Sequence, residues 1–389
     1  MNFDLPDDAA ALREAVLDFA RSELPCEMIG RDHACEFWHD GWMKCAKFGI
    51  LGLPVPPDFG GSGSTLTATI AAMEALGYAC DDLGLIFSIN AHLWTNTIPI
   101  LRYGTAEQKT KYLPGLCDGS LIGANGASEP EAGSDVFSMK TTAERQGDCF
   151  VLNGAKTFVS NAQVANLFVV YAATRPGGGP LGITAFIIER DTPGMTIGQP
   201  IHKMGLRTSP MGELFFDQCR ISASNVLGSV DGGAACFNCS MEWERGCILA
   251  MHLGRMQKQL EKCVSYARER KQYGQAIGRF QSVANRIVDM KVRIEAARPL
   301  VYKIGWKKDC GQDATIEAAI AKLFLSEAAV ASGLDAIQVF GGYGYMTEFE
   351  IERDLRDAVG SRIYSGTIEI QRNIIARLMG LPPSTQPRT

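Results

Sequence analysis

A basic surplus is missing from this chain. Its net charge is −5, and no Lys/Arg stripe interleaves with aromatics, so nothing in it offers a nucleic-acid backbone a footprint. Also missing is an apolar run of the ~18 residues that a membrane helix needs. Its 41 glycines never fall into a GxGxxG between strand and helix or into a Walker loop, which excludes a Rossmann or P-loop nucleotide site. The five histidines (His33, His39, His92, His202 and His252) form no HxxxH pair. Twelve cysteines are scattered without a secretory context, so reduced thiols are expected. The one close pair, Cys236 and Cys239 in CFNC, lacks a second Cys/His pair at matching spacing, and no metal is expected there. The acidic opening MNFDLPDDAA predicts neither a secretory signal nor a transit peptide, and a soluble, cytoplasmic protein is expected.

What is present is a large core. Hydrophobic residues make up 46% against 21% charged, which argues against disorder, and 389 residues imply two or three domains. From Asp7 to about Ser120 apolar residues recur at three and four positions: ALREAVLDFARSEL, FWHDGWMKCAKFGILGL, TATIAAMEALGYAC and LGLIFSINAHLWTNTIPILRYG, closed by AEQKTKYLPGLCDGS. The stretch Pro54 to Ser64 reads as a loop. Around Leu121 the texture changes to short β-branched and aromatic runs: CFVLNGAKTFVS, ANLFVVYAATR, ITAFIIER and ELFFDQCRIS, with RPGGGPLG as a hairpin or surface loop. From Gly232 helical period returns in four long amphipathic segments. The reading is an α+β chain: an N-terminal helical domain over 1–120, a central β domain over 121–228, and a C-terminal helical bundle over 229–389. A cleft where the three meet suits a cofactor.

Within the last block, SMEWERGCILAMHLG (Ser240 to Gly254) sets Glu244 beside Arg245 at the head of an apolar run. Helical spacing puts Glu244, Cys247 and Ile248 on one face, and Ser240 reads as an N-cap. Two readings stand at this point: a helix start with dipole-friendly acids, or a carboxylate held against apolar surface with a raised pKa, able to abstract a proton. Other stretches have their own pairs of readings. ASEPEAGSD (Ala127 to Asp135) offers hydroxyls and bare N–H groups at Ser128, Gly133 and Ser134, or is simply a polar loop. Phe158 in KTFVSNA lies against a ring system with Ser160 donating, or is core. Arg268, Arg270 and Lys271 form a basic helix end leading into a turn at Gly274, suited to a diphosphate or simply solvated. QVFGGYGYM (Gln338 to Met346) breaks a helix with paired glycines, and Ser365-Gly366-Thr367 reads as a cap before an amphipathic helix.

SEPEAGSD, GAKTFVSNA, KMGLRTSPMGELFFDQCRI, ERKQYG, QVFGGYGY and YSGTIEIQR, in this order and over nearly the whole chain, resemble the acyl-CoA dehydrogenase superfamily, flavoenzymes that oxidise acyl thioesters. The resemblance implies that fold, with a C-terminal four-helix bundle, and FAD between the β domain and the C-terminal helices. It implies flavin contacts at Asn125, Ala127, Ser128, Gly133 and Ser134, with Phe158 and Ser160 against the ring. Arg270, Gln272, Tyr273, Ile277, Gln338 and Gly342 match positions that reach the FAD of a neighbouring subunit. Thr367 and Glu369 match contacts on the opposite side, although glutamine is more usual at the latter. A homotetramer built as a pair of dimers follows.

One departure matters most. Many members carry the catalytic glutamate immediately before the Gly-Thr of YEGT, where this chain has Ser365. A minority carry it on the earlier helix, one residue before a substrate-contacting arginine, which here gives Glu244 and Arg245. MEWERGCILA, GLIFSINAHLWTNTIPI and YSGT further resemble the dehydrogenases that oxidise proline tethered to a carrier protein. The chemistry implied is removal by Glu244 of the proton α to a thioester carbonyl, loss of a hydride from the adjacent carbon to the flavin, and donation by the Ser365 backbone N–H to the enolate oxygen. Electrons then pass to an electron-transferring flavoprotein or to oxygen. Two alternatives are a dehydrogenase for a short or branched acyl-CoA and an inactive thioester-binding scaffold, the latter contradicted by the presence of Glu244.

Overall fold

The computed structural model describes residues 4–382; residues 1–3 and 383–389 of the two outer blocks lie outside it. The N-terminal helices are α1 (Asp7–Glu23), α2 (Met28–Ala34), α3 (His39–Phe48), α4 (Leu66–Ala79), α5 (Leu83–His92), α6 (Ile98–Tyr103) and α7 (Ala106–Cys117). A π-helical turn, Leu93–Thr97, joins α5 to α6. The strands follow: β1 (Gly123–Gly126), β2 (Thr142–Gln146), β3 (Cys149–Ser160), β4 (Leu167–Ala173), β5 (Ile183–Glu189), β6 (Met195–Ile197), β7 (Met211–Ser222) and β8 (Val226–Leu227). They form one sheet in the order β6-β7-β3-β2-β4-β5-β8, with β1 laid parallel to β4. The C-terminal part comprises α8 (Gly233–Cys247), α9 (Ala250–Glu269), a short hairpin of β9 (Lys271–Gln272) and β10 (Gln275–Ala276), α10 (Gln281–Asp309), α11 (Thr315–Phe340), α12 (Ile351–Gly360) and α13 (Ile368–Leu378). The fold is thus the three-part helical, β, helical α+β architecture.

Pleating decides how the sheet is held. Successive residues of β4 point to opposite faces. Phe168, Val170 and Ala172 enter the main core, while Leu167, Val169, Tyr171 and Ala173 enter a second cluster with Tyr112, Leu116 and Cys236. Both faces are therefore covered, which is why β4 and β5 read as unbroken apolar runs. Each large apolar side chain so buried contributes about 1.5–3 kcal/mol, which makes the sheet a rigid platform for its loops. The outer blocks are tied directly to each other as well. Asp309, at the end of α10, accepts from Leu66 N (2.7 Å), Thr67 N (2.9 Å) and Thr67 Oγ1 (2.6 Å), satisfying orphan donors at the head of α4.

Three expectations need correction. Ser240 is no N-cap: α8 begins at Gly233, and the Ser240 hydroxyl, in mid-helix, donates to the Trp94 carbonyl at 3.0 Å. Glu244 therefore lies in the last turn of α8 rather than the first, where the helix dipole does not favour its charge. The helical stretch Thr315–Tyr345 does have the length and composition of a membrane span, but more than half of that window is buried inside the protein, as in a central core helix.

Candidate active site

Glu244 is 7% exposed. Burial drives its pKa from 4.5 to about 7, against the opposing pull of the Ser365 hydroxyl, the Arg245 guanidinium and the Lys322 ammonium. A carboxyl poised there exchanges protons readily at neutral pH. Arg245 is fixed by its Nε, which donates to the Ser365 carbonyl at 3.0 Å. Burial lowers its pKa while Glu244 and Glu242 raise it, and a guanidinium remains charged throughout. Helix α8 and the loop before α13 thus meet at this contact, 120 residues apart in sequence.

The loop itself is tightly specified. Ser365 has φ +58° and Gly366 φ +87°, so a non-glycine residue holds a left-handed conformation. Gln371 Nε2 donates to the Ser365 carbonyl (3.3 Å) and the Gly366 carbonyl (2.8 Å), and the Thr367 hydroxyl accepts from Ile370 N at 3.3 Å to start α13. The Ser365 hydroxyl is close enough to Glu244 to favour its ionised form, yet it is buried without completing a hydrogen bond to any described group. Tyr364, just before it, receives or donates a 2.8 Å hydrogen bond with His252 Nε2 and lies 4.9 Å from Phe87, centroid to centroid.

A second group of predicted residues gathers at the sheet. The register of β3 against β7 shifts between Lys156 and Val159, and at this bulge Phe158 takes φ +56°. A bulge re-aims a side chain, and Phe158 stands 62% exposed instead of entering the core. Thr157 N donates to the Ser128 carbonyl at 3.0 Å, which docks the Ala127–Asp135 loop beside Phe158. Gly133 in that loop is open: a Cβ there would meet nothing within 4 Å. Asn125 donates to the Thr95 carbonyl at 3.0 Å. A flat aromatic cofactor fits such a place, with a bare ring and an uncrowded polar loop; Ser365 Oγ and Lys322 Nζ, in the group around Glu244, are buried without hydrogen-bond partners among the described residues.

A third group lies around the β9–β10 hairpin. Its turn at Tyr273 and Gly274 has positive φ at both residues, +50° and +74°. Arg270 sits 5.5 Å over the Tyr343 ring, Tyr266 stacks on Phe340 at 4.1 Å, and Ile277 is buried beneath. Arg270, Gln272, Gln338 and Gly342 are exposed, and Tyr273 is 94% exposed. Among the described residues no hydrogen bond or ion pair joins this group to the one at Phe158. Thr367 and Glu369 lie at the head of α13, where Glu369 is exposed.

Two functional features escaped the sequence reading. The π-turn links the groups physically: Thr95 holds Asn125, the Trp94 carbonyl holds Ser240, and the Trp94 ring stacks 6.1 Å from Trp243, the neighbour of Glu244. Such turns are rare and frequent at functional sites. Three polar residues, Thr95-Asn96-Thr97, inside an apolar run were its one signal. The other is a buried ion pair, Lys156 Nζ to Glu129 Oε1 at 2.6 Å, which anchors the Ala127–Asp135 loop. Among the described residues no group of three His, Cys, Asp or Glu side chains is arranged for a metal ion.

Comparison with known proteins adds three family matches: the acyl-CoA dehydrogenase N-terminal domain at residues 6–120, the middle domain at 124–219 and the C-terminal domain at 231–380. An L-prolyl-[peptidyl-carrier protein] dehydrogenase of Serratia sp. is 43% identical over 386 residues, covering 98% of this chain and 99% of the relative. The crystal structure of the prolyl acyl carrier protein oxidase AnaB is similar at TM-score 0.96 and 48% identity, covering 97% of this chain and 100% of that one. A structure of PigA with FAD and proline matches at TM-score 0.96 and 43% identity, covering 98% and 100%.

Proposed function

Because this chain belongs to the acyl-CoA dehydrogenase family, we propose that it is an FAD-dependent dehydrogenase of acyl thioesters whose substrate is a prolyl group tethered to a carrier protein. The observation that carries this reading is Glu244: a buried carboxyl with its pKa near 7, in contact with the loop whose usual glutamate is here Ser365. FAD supplies, when bound, the two-electron acceptor for the hydride lost from the β carbon. Glu244 takes the α proton, and Arg245, held by the Ser365 carbonyl, orients the thioester and steadies the carboxylate. Ser365 offers its backbone N–H to the oxygen on which enolate charge develops. A positioned base contributes about 10²–10⁴-fold, and a donor at the oxyanion about 10²–10³-fold.

The residues proposed to hold the cofactor divide as the structure groups them. Phe158 and Ser160 lie against the ring, with Asn125, Ala127, Ser128, Gly133 and Ser134 at its edge. Thr367 and Glu369 approach from α13. Arg270, Gln272, Tyr273, Ile277, Gln338 and Gly342 reach the cofactor of a second copy; the exposure of all but the buried Ile277 supports that role. We further propose a homotetramer, a cytoplasmic location, and an electron-transferring flavoprotein or oxygen as acceptor.

Offering the anaerobic holoenzyme prolyl-carrier protein and a panel of short and branched acyl-CoAs, while following flavin bleaching, tests the substrate. The expected result is rapid bleaching by the prolyl carrier and a response at least tenfold slower from every acyl-CoA. Faster bleaching by an acyl-CoA transfers the assignment to the acyl-CoA dehydrogenases.

A further inference from the structure

Lys322, on α11, is fully buried, yet its Nζ has no hydrogen-bond partner among the described residues. A buried ammonium left unpaired is costly, so its place needs a reason. Helix α11 packs against α8, which carries Glu244, and against α13, which follows the Ser365 loop. One turn further along α11, the Ser326 hydroxyl donates to the Ser361 carbonyl at 3.0 Å, pinning this stretch of helix to the segment leading into that loop. The charged groups that act electrostatically on Glu244 are Arg245 on its own helix and Lys322 on α11, and Glu244 in turn helps keep the buried Tyr364 phenol protonated. Lys322 in turn is acted on electrostatically by Arg245, Glu244, Glu369 and Glu327, while Glu242 acts on Arg245. Asp357 bears on Tyr364, and His252 hydrogen-bonds it. Glu327 is engaged by Arg362 at 2.7 Å, and Glu369 is exposed. Glu244 is left as the buried carboxylate that this ammonium serves.

We propose that Lys322 is a positioning residue for the proton-abstracting carboxylate, a buried cation that holds Glu244 in its ionised, proton-accepting form. The inference rests on the assignment of Glu244 as the base. The timing of the two titrations supports it. Burial and the Arg245 guanidinium push Lys322 down to about 8, with Glu244 pulling it back up, so the lysine is still charged where Glu244 gives up its proton near 7. Among the groups that favour the carboxylate, Ser365 and Arg245 act more strongly than Lys322, so a modest effect is expected.

The test compares pH profiles of kcat/KM for wild-type holoenzyme, Lys322→Met and Lys322→Arg on the prolyl carrier. In Lys322→Met the acidic limb should move up by about half to one pH unit, an activity loss of about three- to tenfold at pH 6. The loss should shrink above pH 8, where the wild-type lysine itself loses its charge. Lys322→Arg should keep the limb near its wild-type position. Thermal stability should be equal or higher in Lys322→Met, because an apolar side chain of similar volume replaces an unpaired charge. An unmoved acidic limb in folded Lys322→Met overturns the proposal. If that variant does not fold, Lys322→Gln is read in the same way, and failure of both makes the lysine structural and also overturns it. Glu244→Gln separates the two claims: inactive with an unmoved Lys322→Met limb, only the lysine's role falls; active, the base assignment itself falls.

Discussion

Glu244→Gln is expected to lower turnover by at least about 10²–10⁴-fold while the purified protein stays yellow and loaded with FAD. The amide matches the carboxyl in size, so the Arg245–Ser365 contact that joins α8 to the last loop has no reason to break. What it lacks is a site for the α proton. Turnover and the flavin-to-protein ratio, measured on one preparation, separate lost chemistry from lost folding. Stability provides a second readout of the same variant. Its pKa of about 7 in the folded protein lies above the ordinary 4.5, so the folded state holds this proton more tightly than the unfolded chain. The resulting cost is absent below about pH 4.5, grows between there and about 7, and is complete above, where it amounts to about 3 kcal/mol. The glutamine variant escapes that cost. Its thermal midpoint should overtake that of the wild type as pH rises through this window, whereas parallel curves would mean a carboxylate in contact with water.

Lys156→Met is expected to be the most destabilising single change near the site. Glu129 is buried and accepts from Lys156 Nζ at 2.6 Å, Thr141 N at 3.0 Å and Lys140 N. Burial pushes the Glu129 pKa up, but Lys156 and these donors bring it below its ordinary value, so it is a carboxylate at neutral pH. Burial takes Lys156 down to about 8 against the pull of Glu129, which leaves it charged at pH 7. Methionine strands the carboxylate in the interior, and breaking a buried pair from one side costs about 3–5 kcal/mol. The Ala127–Asp135 loop loses its anchor, so FAD should be retained less well. Adding Glu129→Met should recover a large part of the stability, since two apolar groups replace two charges. Denaturant midpoints of the two variants check this; a loss below about 1 kcal/mol in Lys156→Met would mean that the pair is spectator to the loop.

The alternation of texture made the fold legible. Apolar spacing of three and four before Ser120, alternation in CFVLNGAKTFVS and ELFFDQCRIS, and helical spacing after Gly232 are each imposed by which faces are buried. Strand β2 escaped because TAERQ is polar and largely exposed even in the middle of the sheet. Ser240 misled because a serine before an apolar run looks like a cap. Its real partner, the Trp94 carbonyl, lies 146 residues away and leaves no local trace. Phe158 had two readings, and only the bulge that gives it positive φ turned it outward. Lys156 sits 27 residues from Glu129, and Lys322 lies in the apolar run AKLFLSEAA. Both are long-range electrostatic features, for which periodicity carries no signal.

The pH dependence of flavin reduction in the anaerobic enzyme, at limiting prolyl-carrier concentration, shows whether Glu244 is the base, because that rate constant reports ionisations of the free enzyme. It should rise through a single inflection near pH 7, where Glu244 loses its proton, and no such inflection should remain in Glu244→Gln. A flat wild-type profile, or the same inflection in the glutamine variant, would place the base on another residue.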